Sequence, residues 1–234
     1  MLTISGCKKS EPEPAAAAAR DSTARDDGWL ALFDGSSMAA WRGYQQDSMP
    51  TGWRIQDGTL TKDTVTGDII TRDQFGDFEL ELEWRLGEHG NSGLFYRGTE
   101  EYEHIYWSAP EYQLLDDATA PPGETRLTSA GAAYALYPSP EGVLKPANQW
   151  NAARIVVRGN HVEHWMNGQK LLEYELGSAD WAAKVKASKF KDWPNYGKAA
   201  QGHIGIQGDH EGTLSLRNIR IRRLEGTPAP TPGP

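Results

Sequence analysis

Phe78-Glu79-Leu80-Glu81-Leu82-Glu83-Trp84-Arg85-Leu86 alternates apolar and charged side chains without a break. Successive side chains of an extended strand point to opposite faces, so this stretch lays Phe78, Leu80, Leu82, Trp84 and Leu86 on a core and turns Glu79, Glu81, Glu83 and Arg85 the other way. A strand buried on one face only belongs to an antiparallel sheet.

The same period of two runs outward from this segment. Gly93 to Arg97 places Leu94 and Tyr96 on one face and Phe95 and Arg97 on the other. Arg154 to Val157, Val162 to Met166 and Lys170 to Tyr174 read as a meander turning at Gly159-Asn160 and Asn167-Gly168. The second dipeptide suits a two-residue type I′ hairpin, where both central positions need positive φ. Gly202 to Gln207 and Thr213 to Arg222 form a last pair. In the latter, the apolar phase steps from Leu214 and Leu216 to Ile219 and Ile221, which predicts a bulge at Arg217 and Asn218. One short helix is expected near 178–189, with Ser178 as its N-cap. From about residue 28 to 225 the chain reads as one antiparallel all-β sandwich or barrel with an insertion around Gly177 to Ala200.

Composition agrees and narrows the function. With 25 Gly and 14 Pro in 234 residues, the chain is rich in turns. Its 24 Lys and Arg against 32 Asp and Glu leave a net charge of −8, and the short basic runs Lys184 to Lys191 and Arg217 to Arg223 make no phosphate-tracking stripe. Nucleic acid is not an expected partner. No apolar run is long enough for a membrane-spanning helix.

The single cysteine, Cys7, cannot form an internal disulfide. It closes Leu2-Thr3-Ile4-Ser5-Gly6-Cys7, which is similar to the lipobox at which bacterial lipoproteins are acylated. Residues 1–27 are read as a truncated lipoprotein signal followed by a disordered tether, and 226–234 as a disordered Pro-rich tail. The expectation is an exported periplasmic or cell-envelope protein that meets the membrane only through a lipid on Cys7.

Phosphate loops, dinucleotide fingerprints, His-Glu-x-x-His and Gly-x-Ser-x-Gly are absent from the sequence. His161 and His164 lie three apart on a strand, so they face opposite ways and cannot share a metal. His210, between glycines in Gly208-Asp209-His210-Glu211-Gly212, sits where a strand end could present a functional group, or in an ordinary surface turn. Glu111-Tyr112-Gln113-Leu114-Leu115-Asp116 sets Glu111 and Gln113 on one face and Tyr112 and Leu114 on the core; Asp116 joins the polar face if a bulge shifts the phase. If the flanking strands are neighbours, that face also holds Glu83 and Arg97. The alternative is a solvated sheet face on which Arg97 pairs with Glu111 or Glu83. Trp41, Trp53, Tyr102, Trp107, Tyr134, Trp181 and Trp193 fall in loop-like segments, and two or three of the aromatics are expected to offer platforms for sugar rings.

Taken in order, Leu32-Phe33-Asp34-Gly35, Trp53 to Leu60, Asn91-Ser92-Gly93-Leu94-Phe95-Tyr96-Arg97, Glu111 to Asp116, Trp165-Met166-Asn167-Gly168, Gly205-Ile206-Gln207 and Arg217-Asn218-Ile219 resemble the 3-keto-disaccharide hydrolase family. The resemblance implies a concanavalin A-like jelly-roll β-sandwich of two antiparallel sheets and action on a 3-keto-glycoside, a carbohydrate supplied by a separate sugar 3-dehydrogenase. A C3 ketone acidifies the C2 proton, so a base can remove it, the C1 group leaves by β-elimination, and water adds back. Glu111 and His210 carry over as base and acid. Glu83, Asn91, Arg97, Gln113, Tyr134 and Gln207 are the expected substrate contacts. A divalent metal held by Glu111, Asp116 and His210 would serve as electrophile. A laminarinase-like hydrolase acting on unoxidised glycans ranks next, because Glu111, Gln113 and Asp116 resemble its Glu-x-Asp-x-x-Glu strand with two substitutions; a carbohydrate-binding module ranks third.

Overall fold

The structure, a computed structural model, describes residues 28–119 and 125–224. The lipobox, Cys7, the tether and the Pro-rich tail lie outside them. Thirteen strands alternate with loops: β1 (Trp29–Phe33), β2 (Trp41–Gly43), β3 (Arg54–Gln56), β4 (Thr59–Lys62), β5 (Ile69–Thr71), β6 (Phe78–Leu86), β7 (Asn91–Gly98), β8 (Glu111–Leu115), β9 (Asn151–Arg158), β10 (His161–Met166), β11 (Gln169–Glu175), β12 (His203–Ile206) and β13 (Leu214–Arg223). Among the described residues one α-helix, α1 (Ala179–Ala187), lies between β11 and β12.

The strands form two antiparallel sheets. One runs β11-β10-β9-β6-β13-β4-β3, with β1 also on the edge of β13; the other runs β2-β5-β12-β7-β8. The sheets face each other across one core, to which β6 contributes Phe78, Leu80, Leu82, Trp84 and Leu86, and the second sheet Leu94, Tyr96, Tyr112, Leu114, Ile204 and Ile206. This is the expected jelly-roll sandwich, with the alternation of β6 at its centre.

The local signals resolve as their chemistry requires. Asn167 and Gly168 both take positive φ, 50° and 83°, and close the β10–β11 hairpin. In the β13–β6 ladder Arg217 pairs with Glu83 and Arg220 with Glu81, so Asn218 and Ile219 together oppose Leu82, and Asn218 takes φ 52°. That bulge returns Ile219 and Ile221 to the core.

In the insertion, the Ser178 side chain accepts from Trp181 N at 3.1 Å and starts α1, while Trp181 packs beside Tyr174 and Tyr196. The helix stops at Ala187, two residues short of the expected end, because Ser188 turns extended and its Oγ bonds Val185 O and Phe190 N. Lys189 is thereby released from the helical path.

His164 is fully buried. Gly131 O can only accept, so Nδ1 donates to it at 3.0 Å, and Nε2 accepts from Tyr96 Oη at 2.9 Å. Tyr174 Oη then donates to Tyr96 Oη. Burial pushes the imidazole down to about 4, which keeps it neutral. His161, on the opposite face, meets Glu175 at the surface. Neither histidine reaches the cavity described next.

Candidate active site

The outer face of the five-stranded sheet holds a cavity of about 220 Å³ lined by Asn91, Tyr106, Glu111, Gln113, Tyr134, Lys189, Gln207, Asp209 and His210. Strands β7 and β8 and the end of β12 make its floor. Gly93 pairs with Gln113, and Phe95 with Glu111, so the alternation of β8 sends Tyr112 and Leu114 inward and Glu111 and Gln113 outward, as expected. The face is not solvated: Glu111 is 5 % and Gln113 2 % exposed. Loops carrying Tyr106, Tyr134, Lys189, Asp209 and His210 close over it.

Glu111 is the centre of this arrangement. Burial, with Asp68 and Asp209 nearby, pushes its carboxyl up to about 8, against the pull of the Lys189 ammonium. Lys189, exposed at the rim, is pushed down by partial desolvation and held up by Glu111 and Asp209. Gln113 Nε2 donates to Asn91 Oδ1 at 3.0 Å, which orients both amides. Gln207 N donates to Gly93 O at 2.9 Å, yet among the described residues its buried side-chain Oε1 accepts no hydrogen bond. A buried acceptor left unpaired in a cavity wall calls for a donor from a ligand.

The loop that bears Asp209 and His210 is fixed from behind. Lys62 Nζ donates to His210 O at 2.5 Å and to Gly212 O at 3.2 Å, and Asp68 Oδ1 accepts from Gly208 N at 2.7 Å. Asp68, itself desolvated, is pushed up to about 6. Gly208 has no space for a side chain, since a Cβ there would lie 2.5 Å from Gly67 O.

Three expected residues are elsewhere. Glu83 belongs to the other sheet, where it accepts from Arg217 at 2.9 Å and Asn218 at 2.6 Å. Arg97 would share the face of Phe95 in a regular strand. A bulge in β7, where His203 pairs with Gly98 and Gly205 with Phe95, gives it φ 53° and turns it away. Its guanidinium donates to Gly76 O, Asp77 and Gly159 O instead. Asp116 stays in the inward phase because β8 contains no bulge, and it accepts from His89 N at 3.0 Å.

The expected metal set of Glu111, Asp116 and His210 is therefore not brought together. Asp209 lines the cavity in place of Asp116, but the grouping of ligand atoms found among the described residues is His161, Glu163 and Glu173 on the far sheet, already engaged by Lys170. Among the described residues, no three ligand atoms of the cavity lie close enough together to hold one ion. None of the nine Trp lines the cavity either; Tyr106 and Tyr134 supply its rings. Sequence reasoning missed Lys189, Asp209 and Tyr106, whose residue types are common on any surface.

A larger groove, about 750 Å³, crosses the outer face of the eight-stranded sheet. Its carboxylates are already satisfied, Glu81 by Arg220 at 2.6 Å and Glu83 by Arg217, and its Arg154 is bound to Glu79 at 2.5 Å. Size favours that groove, but shifted acid and base groups favour the smaller cavity.

Residues 28–222, the whole sandwich with this cavity, match the family model described as the 3-keto-alpha-glucoside-1,2-lyase-like domain. The chain belongs to that family. It is 35 % identical over 231 residues to a 3-keto-disaccharide hydrolase of Bacteroides thetaiotaomicron, covering 85 % of this chain and 79 % of that one. Two solved Parabacteroides distasonis structures, each provisionally described as a glycosyl hydrolase, share the architecture. One is 30 % identical with a TM-score of 0.78, covering 85 % of this chain and 94 % of its own. The other is 25 % identical with a TM-score of 0.67, covering 84 % and 99 %. Membership of this family makes the chain an enzyme that cleaves glycosidic bonds.

Proposed function

We propose that the protein cleaves 3-keto-glycosides by elimination followed by hydration. Glu111 takes the C2 proton; the C–H electron pair forms a C2=C3 bond and the carbonyl pair moves to the C3 oxygen. When the ketone re-forms, a C1=C2 bond replaces C2=C3, and the C1–O pair leaves with the aglycone oxygen, which His210 protonates. Water then adds at C1, its proton passing to His210, and the proton held by Glu111, exchanged with solvent, returns to C2. The net change is one water consumed and one glycosidic bond broken.

The observation that carries this reading is Glu111: a desolvated carboxyl near 8, in a cavity below the size usual for drug-sized ligands and suited to one sugar ring. Asn91, Gln113 and the unpaired Gln207 Oε1 supply the polar contacts that ring hydroxyls need. Direct retaining hydrolysis fits less well, since it calls for two carboxyls flanking the bond and the second and third positions of that strand pattern are an amide, Gln113, and a residue outside the cavity, Asp116.

The test is incubation with a 3-keto-glucoside and with the unoxidised glucoside in deuterated water. Release of aglycone from the first alone, with deuterium at C2 of the product, is expected. Cleavage of both would favour the laminarinase-like reading, and binding without turnover a carbohydrate-binding module. The substrate class also implies a separate enzyme that oxidises sugars at C3, and Cys7 supports a lipid-anchored protein of the cell envelope, checked by metabolic labelling with a fatty acid.

A further inference from the structure

Removing the C2 proton moves negative charge onto the C3 oxygen, inside a cavity whose surroundings already include Asp68 and Asp209. Such a charge needs a preorganised electrophile. We infer that Lys189 is this electrophile: its ammonium, set against the ring of Tyr134 and sharing the cavity with Glu111, binds the C3 oxygen and stabilises the enolate. The inference rests on the keto-sugar reading above.

Three observations place Lys189 in this role. Its Nζ lies 4.2 Å from the ring centroid of Tyr134 and 5.9 Å from that of Tyr106. Aromatic faces hold a cation without taking its hydrogen bonds in the way a carboxylate would. Among the described residues the ammonium makes no ion pair and no hydrogen bond, whereas the buried Lys62 and Arg97 donate to backbone carbonyls and Asp77. Its donors are available to a ligand.

The backbone beside Lys189 is also fixed. Phe190 is 1 % exposed, stacked on Tyr196 with centroids 4.1 Å apart, and Phe190 N donates to Ser188 Oγ. The ammonium is thus delivered from an ordered turn, on a side chain that is exposed at the rim and reaches over the cavity with its Nζ against the rings. That is the preorganisation an enolate site requires.

Finally, the charges balance across the step. Glu111 and Lys189 feel one another in the ground state. As Glu111 takes the proton its own charge vanishes and an equal charge appears on the C3 oxygen. The ammonium exchanges one anionic neighbour for another, and among the described residues no other lysine or arginine lines the cavity.

The experiment compares wild type, Lys189→Met and Lys189→Arg on two substrates: a 3-keto-glucoside, and a 3-keto-1,5-anhydroglucitol that has no C1 leaving group and reports only C2 proton exchange in deuterated water. Lys189→Met should slow exchange and elimination together by about 10²- to 10³-fold, mainly in kcat. It should also move the acidic limb of the pH profile upward, because Glu111 then faces Asp68 and Asp209 without a cation. Lys189→Arg should keep intermediate rates. Wild-type exchange by folded Lys189→Met would overturn the inference. So would a cyanoborohydride-trapped adduct on Lys189, which means an imine, or activity lost to chelator and restored by a divalent cation, which hands the role to a metal. If wild type itself neither exchanges nor cleaves, the keto-sugar reading falls and takes this inference with it.

Discussion

Gly93 and Glu111 share one volume: a Cβ built on Gly93 would lie 2.2 Å from Glu111 Oε1. The carboxylate rests where the neighbouring strand has no side chain, and that vacancy lets it lie along the cavity floor. Gly93→Ala should therefore leave the sheet paired but force Glu111 into another rotamer. An activity loss of at least about 100-fold is expected, with a stability cost of about 1–3 kcal/mol; activity assay and thermal melting check both.

The pH profile follows from the site's two shifted groups. Glu111 must be ionised to act as base, and its carboxyl stands near 8, so kcat/KM should rise about tenfold per unit on the acid side and level off near pH 8. Lys189, pushed below its ordinary value, sets a falling alkaline limb. A profile already flat from pH 5 would contradict this assignment.

Glu111→Gln should lose activity by about 10²- to 10⁴-fold while gaining stability. The sign follows from proton linkage: the folded carboxyl, raised to about 8, holds a proton that the unfolded chain has released above about 4.5, so stability falls as pH rises through this window. An amide removes that penalty. The variant should melt higher than wild type at pH 8, by on the order of 1–3 kcal/mol, and the difference should vanish near pH 4.

Gln207→Leu removes a buried acceptor that has no partner among the described residues. Its apo stability should be unchanged or about 1 kcal/mol higher. Substrate binding should weaken about tenfold, seen in KM or in the dissociation constant of a product sugar. A variant that binds as well as wild type would mean that Oε1 does not meet the substrate.

Much of the sandwich was legible because its signals are local. The alternation of β6, the Asn167-Gly168 turn and the phase step at Asn218 each act through a few bonded neighbours. Glu111 and Gln113 were legible for the same reason. Glu83 was not, because a strand's pattern does not say which of two sheets it joins. Arg97 was misplaced because the bulge that turns it lies in a stretch whose apolar phase shows no break. Lys189 could not be singled out, since a lysine two residues beyond a helix reads as a solvated charge until Phe190 and Tyr196 are seen to fix the turn beside it.

The cavity's floor and its rim have different origins. Asn91, Glu111 and Gln113 stand on paired strands, whereas Tyr106, Tyr134, Lys189 and His210 come from four separate crossings between strands. Exchange of a single crossing can thus reshape the entrance while Asn91, Glu111 and Gln113 on the floor keep their positions.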